Sequence, residues 1–232
     1  MKNNTIVIHP IAYIETDFPE KFGVPRQSGL IPSVSRIVME EEYRVPEAFR
    51  GLDGYSHIWL LWQFSENTRD GWSPTVRPPR LGGNVRKGVF ATRSPFRPNS
   101  IGMSCVRLLS VETDPVLGPV LFVEGADMMN GMPIIDIKPY HPGADSHPEA
   151  DAGFTSENID YRVHVNVPDD LLEKIPEEKR ETLLGALAED PRPPYQRDPE
   201  RVYGMSFMDF EVKFRVDGKE LYVISVEKSR EL

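Results

Sequence analysis

The residues best suited to chemistry lie in one short polar stretch, Arg93-Ser-Pro-Phe-Arg-Pro-Asn99. It places two arginines, an asparagine and two prolines between apolar runs typical of strands. Proline fixes its own φ and restricts the residue before it, so such a loop holds its side chains in place at little entropic cost. Arginine offers a rigid fork of donors to carboxylate or phosphate. The stretch predicts a binding loop for an anionic or polar ligand, although a surface loop whose arginines pair with neighbouring acids has the same composition.

Charge is unevenly distributed along the chain. The net charge of −9 argues against binding nucleic acid through bulk charge. The segment 71–111 nevertheless holds six arginines, one lysine and no acid, whereas the segment 145–190 holds thirteen acids against four bases. The basic segment can contact a phosphate backbone locally, or the two segments can neutralise each other across an interface. Charge alone leaves both open.

Other features of the composition indicate where the protein works. No apolar run approaches the ~20 residues that a membrane span needs. The N-terminus lacks the pattern of a signal peptide. The single cysteine, Cys105, excludes an internal disulfide, and its apolar neighbours Met103 and Val106 favour a buried packing role. These features predict a cytoplasmic protein that does not contact a membrane.

Short apolar runs separated by turn residues must position the polar stretch. Six or more short strands and no long helix before residue 140 indicate an antiparallel barrel or sandwich. A Rossmann fold is disfavoured, because neither βαβ alternation nor a glycine-rich nucleotide fingerprint is present. His57, in the most apolar run, is predicted to be a core histidine. The predicted strands cover 5–14, 33–39, 52–64, 85–91, 101–112, 119–124 and 134–138, with a turn over 127–131.

The composition shifts after Tyr140, where the segment 141–151 predicts a proline-broken linker. Its histidines and acids raise the alternative of a metal-dependent hydrolase that uses His141, Asp145 and His147. Metal ligands are normally fixed by regular elements and by a second shell, so no metal site is predicted. Beyond the linker the sequence predicts a strand over 161–167, a helix over 169–189 that Pro176 can break or kink, a rigid polar loop over 190–197, and a hairpin of 208–216 with 220–226.

Several motifs, in order along the chain, resemble the TsaA-like family, whose bacterial members are tRNA methyltransferases. The resemblance covers nearly the whole chain. The matching blocks are Asp53-Gly-Tyr-Ser-His-Ile-Trp59, Arg77-Pro-Pro-Arg80, Gly88-Val-Phe-Ala-Thr-Arg-Ser-Pro-Phe-Arg-Pro-Asn99, Ile101-Gly102, Asp136-Ile-Lys-Pro-Tyr140, Asp190-Pro-Arg-Pro-x-Tyr195 and Tyr203-Gly204.

This resemblance implies a mainly β protein, with an N-terminal antiparallel β-barrel domain over 1–145 and a small α+β C-terminal domain over 155–232. It implies a homodimer that binds S-adenosylmethionine on the barrel. The implied reaction methylates the exocyclic amine of threonylcarbamoyl-adenosine beside the anticodon, in the anticodon loop of threonine tRNA. No DNA partner is expected. The competing class is a non-catalytic regulatory module that senses S-adenosylmethionine or a related nucleotide, which the net negative charge favours.

The resemblance also implies which residues contact the cofactor. Two positions depart from the family pattern: Ser65 stands where many relatives have histidine, and Ser100 where proline is common. The first departure directly follows the implied cofactor contact at Phe64. The implied cofactor contacts are Pro25, Arg26, Gln27, Phe64, Arg93, Met103, Gly125, Asp127 and Met128.

Methyl transfer from a sulfonium is an in-line displacement, in which positioning carries much of the catalysis. The adenine amine is a poor nucleophile because its lone pair is delocalised, so it needs a proton acceptor. Asp136 is the candidate, beside Lys138 and Tyr140. The alternatives are an acceptor on the substrate's own threonylcarbamoyl group and a purely structural Asp136–Lys138 ion pair.

The remaining candidates contact the substrate. Arg93 and Arg97 are assigned to a threonyl or cofactor carboxylate. Arginines 77, 80 and 86 are assigned to anticodon-loop phosphates. Tyr195 and Trp72 are candidates for stacking on an unpaired base. The predicted catalytic set is Asp136, Lys138, Tyr140, Arg97, Asn99 and Tyr195.

Overall fold

The computed structural model of the chain describes residues 6–66, 71–78, 85–158, 161–193, 196 and 198–229. The strands within these ranges are β1 (Ala12–Glu15), β2 (Val34–Met39), β3 (His57–Gln63), β4 (Thr75–Val76), β5 (Lys87–Gly88), β6 (Ile101–Asp114), β7 (Gly118–Glu124), β8 (Pro133–Pro139), β9 (His164–Asn166), β10 (Tyr203–Phe207), β11 (Phe210–Asp217) and β12 (Glu220–Lys228). The α-helices are α1 (Pro142–Asp145), α2 (Asp169–Leu172) and α3 (Glu177–Ala188).

Six strands with alternating burial close into an antiparallel barrel in the order β1-β2-β7-β6-β3-β8. Ala12 shows the closure, because it pairs with Met39 of β2 on one side and with Ile134 of β8 on the other. Inward-facing apolar side chains such as Ile58 and Leu60 are fully buried and fill the interior. A barrel of this size is a packed core, so a ligand must bind on its rim or outer wall. The barrel form of the fold prediction is confirmed.

One rim of the barrel collects three long connections, because antiparallel neighbours return to the same end. These are the β1–β2 connection (16–33), the β3–β6 connection (64–100), which contains the small β4–β5 hairpin, and the β7–β8 connection (125–132). The predicted binding loop around Arg93 belongs to the second of them. The fold therefore places three sequence-distant polar segments on one rim.

The C-terminal part of the chain forms a four-stranded sheet in the order β10-β11-β12-β9, with β9 parallel to β12. Helix α3 packs on it through Leu183, Ala186 and Leu187, which are buried in the same core. The single helix expected over 169–189 is two helices, since Pro176 takes extended backbone at the N-cap of α3. Proline can precede a helix but cannot continue one.

The β1–β2 connection contributes to this second core as well as to the barrel rim. Phe18 and Ile31 are buried among residues of the C-terminal sheet. Phe18 stacks edge-on against Phe207, with ring centroids 5.8 Å apart. Lys179 of α3 pairs with Asp17 at 2.7 Å. A loop of the barrel is therefore part of the hydrophobic core of the C-terminal sheet.

Several expected strands differ from the structure. The strand expected over 52–64 begins only at His57, after a 3-10 turn, Leu52–Gly54. The run 5–14 forms a strand only from Ala12 onward within its described residues, and the strand expected over 85–91 is the two-residue β5 followed by a 3-10 turn, Val89–Ala91. Strand β10 was not predicted. No helix in the described ranges is long and apolar enough to cross a membrane.

Candidate functional site

The three rim connections are in direct contact. The amide of Gly29 donates to the carbonyl of Gly125 at 2.8 Å, and Gly125 N donates to Ser33 O at 2.9 Å. Gly125 has φ 86°, and a Cβ there would lie 3.0 Å from Gly29 Cα. Both the left-handed backbone and the close approach require glycine. Arg93 Nη1 donates to Gln27 Oε1 at 2.9 Å, which joins the second connection, β3–β6, to the first.

Asp127 lies at the base of this contact. Its Oδ1 accepts from the Ser104 hydroxyl at 2.5 Å, and Ser104 in turn accepts from the Trp62 indole at 3.0 Å. Burial raises the pKa of Asp127, while the Ser104 hydroxyl and the nearby Arg93 charge act in the opposite direction. The protonation state of Asp127 is therefore set by a balance: burial favours the neutral carboxyl, and these polar neighbours favour the carboxylate. Ser104 was not predicted from the sequence, where its only signal is a serine at an inward-facing position of an apolar strand.

The Arg93 loop is held by its own hydrogen bonds, as its composition predicts. Arg97 Nη1 donates to Thr92 O at 2.9 Å, and the Ser100 hydroxyl donates to Pro95 O at 3.0 Å. Arg97 therefore braces the loop in this structure, and its assignment to a carboxylate stays a prediction. Ser100 forms a bond that a proline could not form. Arg93 and Asn99 are exposed on this braced backbone.

The Pro25-Arg26-Gln27 segment divides between the two parts of the molecule. Pro25 is buried, and Gln27 contacts Arg93 as described above. Arg26 instead donates to the backbone carbonyl of Asp190 at 2.8 Å. Arg26 therefore links the rim to the second polar loop, in addition to its predicted role at the cofactor.

The second polar loop is clamped to the C-terminal sheet. The Asp190 carboxylate pairs with Arg192 Nε at 2.8 Å and accepts from the Tyr161 hydroxyl at 3.0 Å. Burial and the Asp190 charge raise the pKa of Tyr161. Arg192 also donates to Val216 O at 3.4 Å, which fixes the loop against β11. Tyr195 and Arg80 lie outside the described residues.

Two further predicted contacts lie at the barrel end. Phe64 packs on Trp62 with ring centroids 4.2 Å apart, and the neighbouring Ser65 hydroxyl points to Met132 Sδ at 3.3 Å. The Met128 side chain is buried in the barrel core. A ligand outside the barrel can therefore reach Met128 only through its backbone.

The predicted catalytic residues of β8 lie on the outer wall. Asp136 pairs with Lys138 at 2.8 Å and accepts from the amide of Ile137 at 2.9 Å. Leu61 stands between Asp136 and Met103 in the strand register, and Met103 is 50% exposed. The structure therefore places Asp136 and Met103 on one outward row, about 10 Å apart at two strand spacings.

Tyr140 does not join this row. It lies four residues beyond Asp136, about 13 Å along the strand, and its ring packs near those of His57 and Trp59 at 6.2 and 5.9 Å. The expectation of a core position for His57 is wrong, because its side chain is exposed at the end of β3. An outward position in an alternating strand explains this exposure.

A cleft of about 340 Å³ opens beside the Gly29–Gly125 contact. Its outer wall carries His57, Cys105 and Arg107. Burial, and secondarily the charge of Asp145, raise the pKa of the Cys105 thiol. A raised thiol pKa disfavours the nucleophilic thiolate. Cys105 is nevertheless only partly buried, so the fully buried position expected from its neighbours is not observed.

The residues of the metal-hydrolase alternative have other partners. Asp145 Oδ2 accepts from the Trp59 indole at 3.0 Å and from the amide of His141 at 2.8 Å, which docks α1 on the barrel wall. The His141 amide and the Trp59 indole lower the pKa of Asp145. His147 faces Glu149 at 3.5 Å. Within the described residues no three such side chains are grouped to hold a metal ion.

A packed barrel with glycines, an arginine and a buried carboxyl gathered on one rim defines a class of protein: a small β-barrel that binds polar ligands through its loops. The model of the tRNA-methyltransferase O N-terminal domain matches residues 13–146, and the model of the TrmO C-terminal domain matches residues 161–229.

Individual proteins agree with these domain matches. The tRNA (adenine(37)-N6)-methyltransferase of Escherichia coli (strain K12) is 40% identical over 94% of this chain and 96% of its own. The enzyme of the same name from Eikenella corrodens is 44% identical over 70% of this chain and 92% of its own. The crystal structure of TrmO from Pseudomonas aeruginosa superposes with a TM-score of 0.77 at 31% identity, over 97% of this chain and 100% of that one. The chain belongs to the tRNA-methyltransferase O family, which confirms the predicted family, fold class and enzyme class.

Proposed function

We propose that the protein transfers the methyl group of S-adenosylmethionine to N6 of adenine 37 in a tRNA. We further propose that this adenine carries the threonylcarbamoyl group and that the tRNA reads threonine codons. The names of the relatives support adenine 37 as the methylated base. One relative, from Pseudomonas aeruginosa, is named a putative S-adenosylmethionine-dependent methyltransferase, which supports the cofactor. The observation that carries the proposal is the contact of all three rim connections around Arg93 and Asp127.

The donors and acceptors of the rim fit the polar parts of S-adenosylmethionine. The exposed Arg93 guanidinium, steadied by Gln27, suits its carboxylate. The Asp127 carboxyl can accept from a ribose hydroxyl or from the ammonium group. The close contact between Gly29 and Gly125 leaves only backbone at the rim between them. When bound, the cofactor supplies an electrophilic methyl group on sulfonium.

The adenine amine must lose a proton when its nitrogen gains a methyl group. Asp136 supplies a carboxylate on the outer wall, near the same rim. Lys138 and the amide of Ile137 hold this carboxylate in one orientation, and its side chain is 44% exposed. A substrate docked on the wall can therefore reach the remaining lone pairs of Asp136. The carboxylate of the threonylcarbamoyl group is the alternative acceptor.

The variant Asp136→Asn separates these two acceptors. If Asp136 takes the proton, transfer in single-turnover assays slows about a hundredfold or more, the usual contribution of a general base, while calorimetry shows unchanged cofactor binding. Lys138→Met is the matched control, since it breaks the ion pair and keeps the acceptor; a much smaller loss is expected. A normal rate in Asp136→Asn would transfer the role to the substrate.

Label transfer from radioactive S-adenosylmethionine tests the reaction directly. Purified protein is incubated with tRNA that bears or lacks the threonylcarbamoyl group, and label is expected only in the modified tRNA. Equal labelling of both would remove the threonylcarbamoyl requirement. Cofactor binding without transfer to either tRNA would contradict the proposal and favour the regulatory module.

We also propose a homodimer that works in the cytoplasm, as the resemblance implies. Sedimentation at micromolar concentration is expected to give twice the chain mass. A monomer at that concentration would contradict the homodimer.

A further inference from the structure

An exposed aromatic pair lies beside the Arg93 loop. Trp72 and Phe90 expose 51% and 73% of their surface. Their rings are nearly parallel, with centroids 6.3 Å apart and planes inclined by 21°. Aromatic side chains contribute most when buried. A stacked pair presented to solvent is therefore a surface suited to a flat partner.

The backbone around this aromatic pair is fixed. Val89 is buried, its amide donates to Pro74 O at 3.0 Å, and its carbonyl accepts from the Thr92 hydroxyl at 2.8 Å. Because Val89 is held inward, the next residue, Phe90, is turned outward. The outward position of Phe90 is thus set by the 3-10 turn and is not the result of a loose loop.

The aromatic pair is also joined to the candidate site. The amide of Ser73, next to Trp72, donates to the carbonyl of Phe96 at 3.1 Å. Phe96 belongs to the same braced loop as Arg93 and Arg97. A ligand bound across the aromatic pair therefore lies beside the loop that carries the predicted cofactor and substrate contacts.

The charges around the aromatic pair are positive. Arg77 and Arg86 are exposed on the β4–β5 hairpin, and Arg86 is oriented by a 2.9 Å bond to the Thr75 hydroxyl. The whole segment 71–111 contains no acid. Exposed cations beside aromatic rings match the phosphates and bases of a single-stranded nucleic acid.

We propose that Trp72 and Phe90 form a stacking platform for an unpaired nucleotide of the RNA substrate, with Arg77 and Arg86 contacting the flanking phosphates. The inference rests on the proposed function for the identity of the RNA. An unpaired base offers a flat π-face of the kind that stacks on aromatic side chains, and every base has one. The platform would hold the RNA loop beside the rim rather than read its sequence.

Ring chemistry separates stacking from simple apolar packing. Phe90→Leu keeps an apolar side chain but removes the ring, whereas Phe90→Tyr keeps the ring. Binding of a fluorescent anticodon stem-loop, followed by anisotropy, is expected to weaken about five- to tenfold in Phe90→Leu and to stay near wild type in Phe90→Tyr, since stacking on one aromatic ring is sequence-tolerant. The double variant Trp72→Leu/Phe90→Leu is expected to lose about tenfold to a hundredfold.

Two further readouts exclude indirect effects. A stem-loop with 2-aminopurine at an unpaired position loses fluorescence when that base stacks, and this loss should disappear in the double variant. Tyr55→Leu is the matched control, because Tyr55 is a 38% exposed aromatic on the β2–β3 connection, which is not one of the three rim connections. Its RNA affinity should be unchanged, and S-adenosylmethionine binding should be unchanged in every variant.

The outcomes are distinguishable. Wild-type protein that binds no stem-loop and no tRNA would overturn both the platform and the proposed function. Wild-type protein that binds RNA equally well after the double substitution would overturn the platform alone. A change of sedimentation in the double variant with unchanged RNA affinity would assign the aromatic pair to a protein interface and also overturn the platform.

Discussion

Arg93 is the charged side chain best placed to hold the cofactor carboxylate, since it is exposed on a braced loop and oriented by Gln27. Arg93→Ala is expected to weaken S-adenosylmethionine binding about ten- to a hundredfold, because a hydrogen bond to a charged group contributes about 1.5–3 kcal/mol. Calorimetry measures the change. Arg36→Ala is the control, as Arg36 is an arginine of β2 that pairs with Glu15 on the outer wall. Equal affinity in Arg93→Ala would remove Arg93 from the site.

Asp127 makes the stability of the protein depend on pH. Its pKa is raised in the folded state above the reference value of 3.8, mainly by burial. Between 3.8 and the folded pKa, the folded protein keeps a proton that the unfolded chain has lost. The free energy of unfolding therefore falls as pH rises through this window, and the slope from Asp127 disappears above it.

The variant Asp127→Asn tests this sign. Denaturant unfolding of both proteins is measured from pH 4 upward, and the stability of the wild type relative to Asp127→Asn is expected to decline as pH rises. The difference cancels titrations that the two proteins share. A relative stability that instead rises with pH would mean that Ser104 and Arg93 outweigh burial and lower the pKa of Asp127.

At the scale of elements, the alternation of apolar and polar residues predicted which segments form strands, but it predicted the ends of those strands poorly. The hairpin of β11 and β12 was predicted because Phe210, Val212 and Phe214 alternate with charged residues, and the structure buries all three. Strand β10 was missed, although its burial alternates, because its five residues mix glycine and serine with three methionine-sized or larger side chains. Short strands carry too few positions for a period to emerge.

The candidate site, too, was only partly predictable from the sequence, but for a different reason. The braced Arg93 loop was predictable from prolines and arginines that are adjacent in sequence. The bonds from Trp62 to Ser104 and from Ser104 to Asp127 join residues 42 and 23 positions apart. No local sequence pattern encodes this series of hydrogen bonds, because it forms only once β3, β6 and the β7–β8 connection meet at one rim.

Strand β6 is tightly fitted to β3 at Gly102. A Cβ at this buried position would lie 2.3 Å from the Trp62 indole, closer than any packed pair can be. Gly102→Ala is expected to lower the free energy of unfolding by about 1–3 kcal/mol through overpacking and to disturb the Trp62–Ser104 bond. Denaturant titration measures the loss. Gly54→Ala is the control, since no atom lies within 4 Å of its added Cβ; equal stability of the two variants would contradict the fit.

At the scale of the whole molecule, the β1–β2 connection ties the candidate site to the C-terminal sheet. Its ends place Phe18 and Ile31 in the second core, and its tip places Gln27 beside Arg93. Arg26 adds a bond to the backbone of Asp190. The tip is therefore positioned by both parts of the chain, and the C-terminal part is expected to influence cofactor binding without contacting the cofactor.

Phe18→Ala tests this coupling. Removing a buried phenylalanine costs about 3–5 kcal/mol, and the freed loop is also expected to weaken S-adenosylmethionine binding at temperatures where the variant remains folded. Val226→Ala is the control: Val226 is buried in the same core but lies on β12, so stability should fall without a change in affinity. Lys179→Met breaks the ion pair to Asp17 with a milder loss of stability and should weaken binding in the same direction as Phe18→Ala. Unchanged affinity in both Phe18→Ala and Lys179→Met would show that the barrel alone positions Gln27 and Arg93.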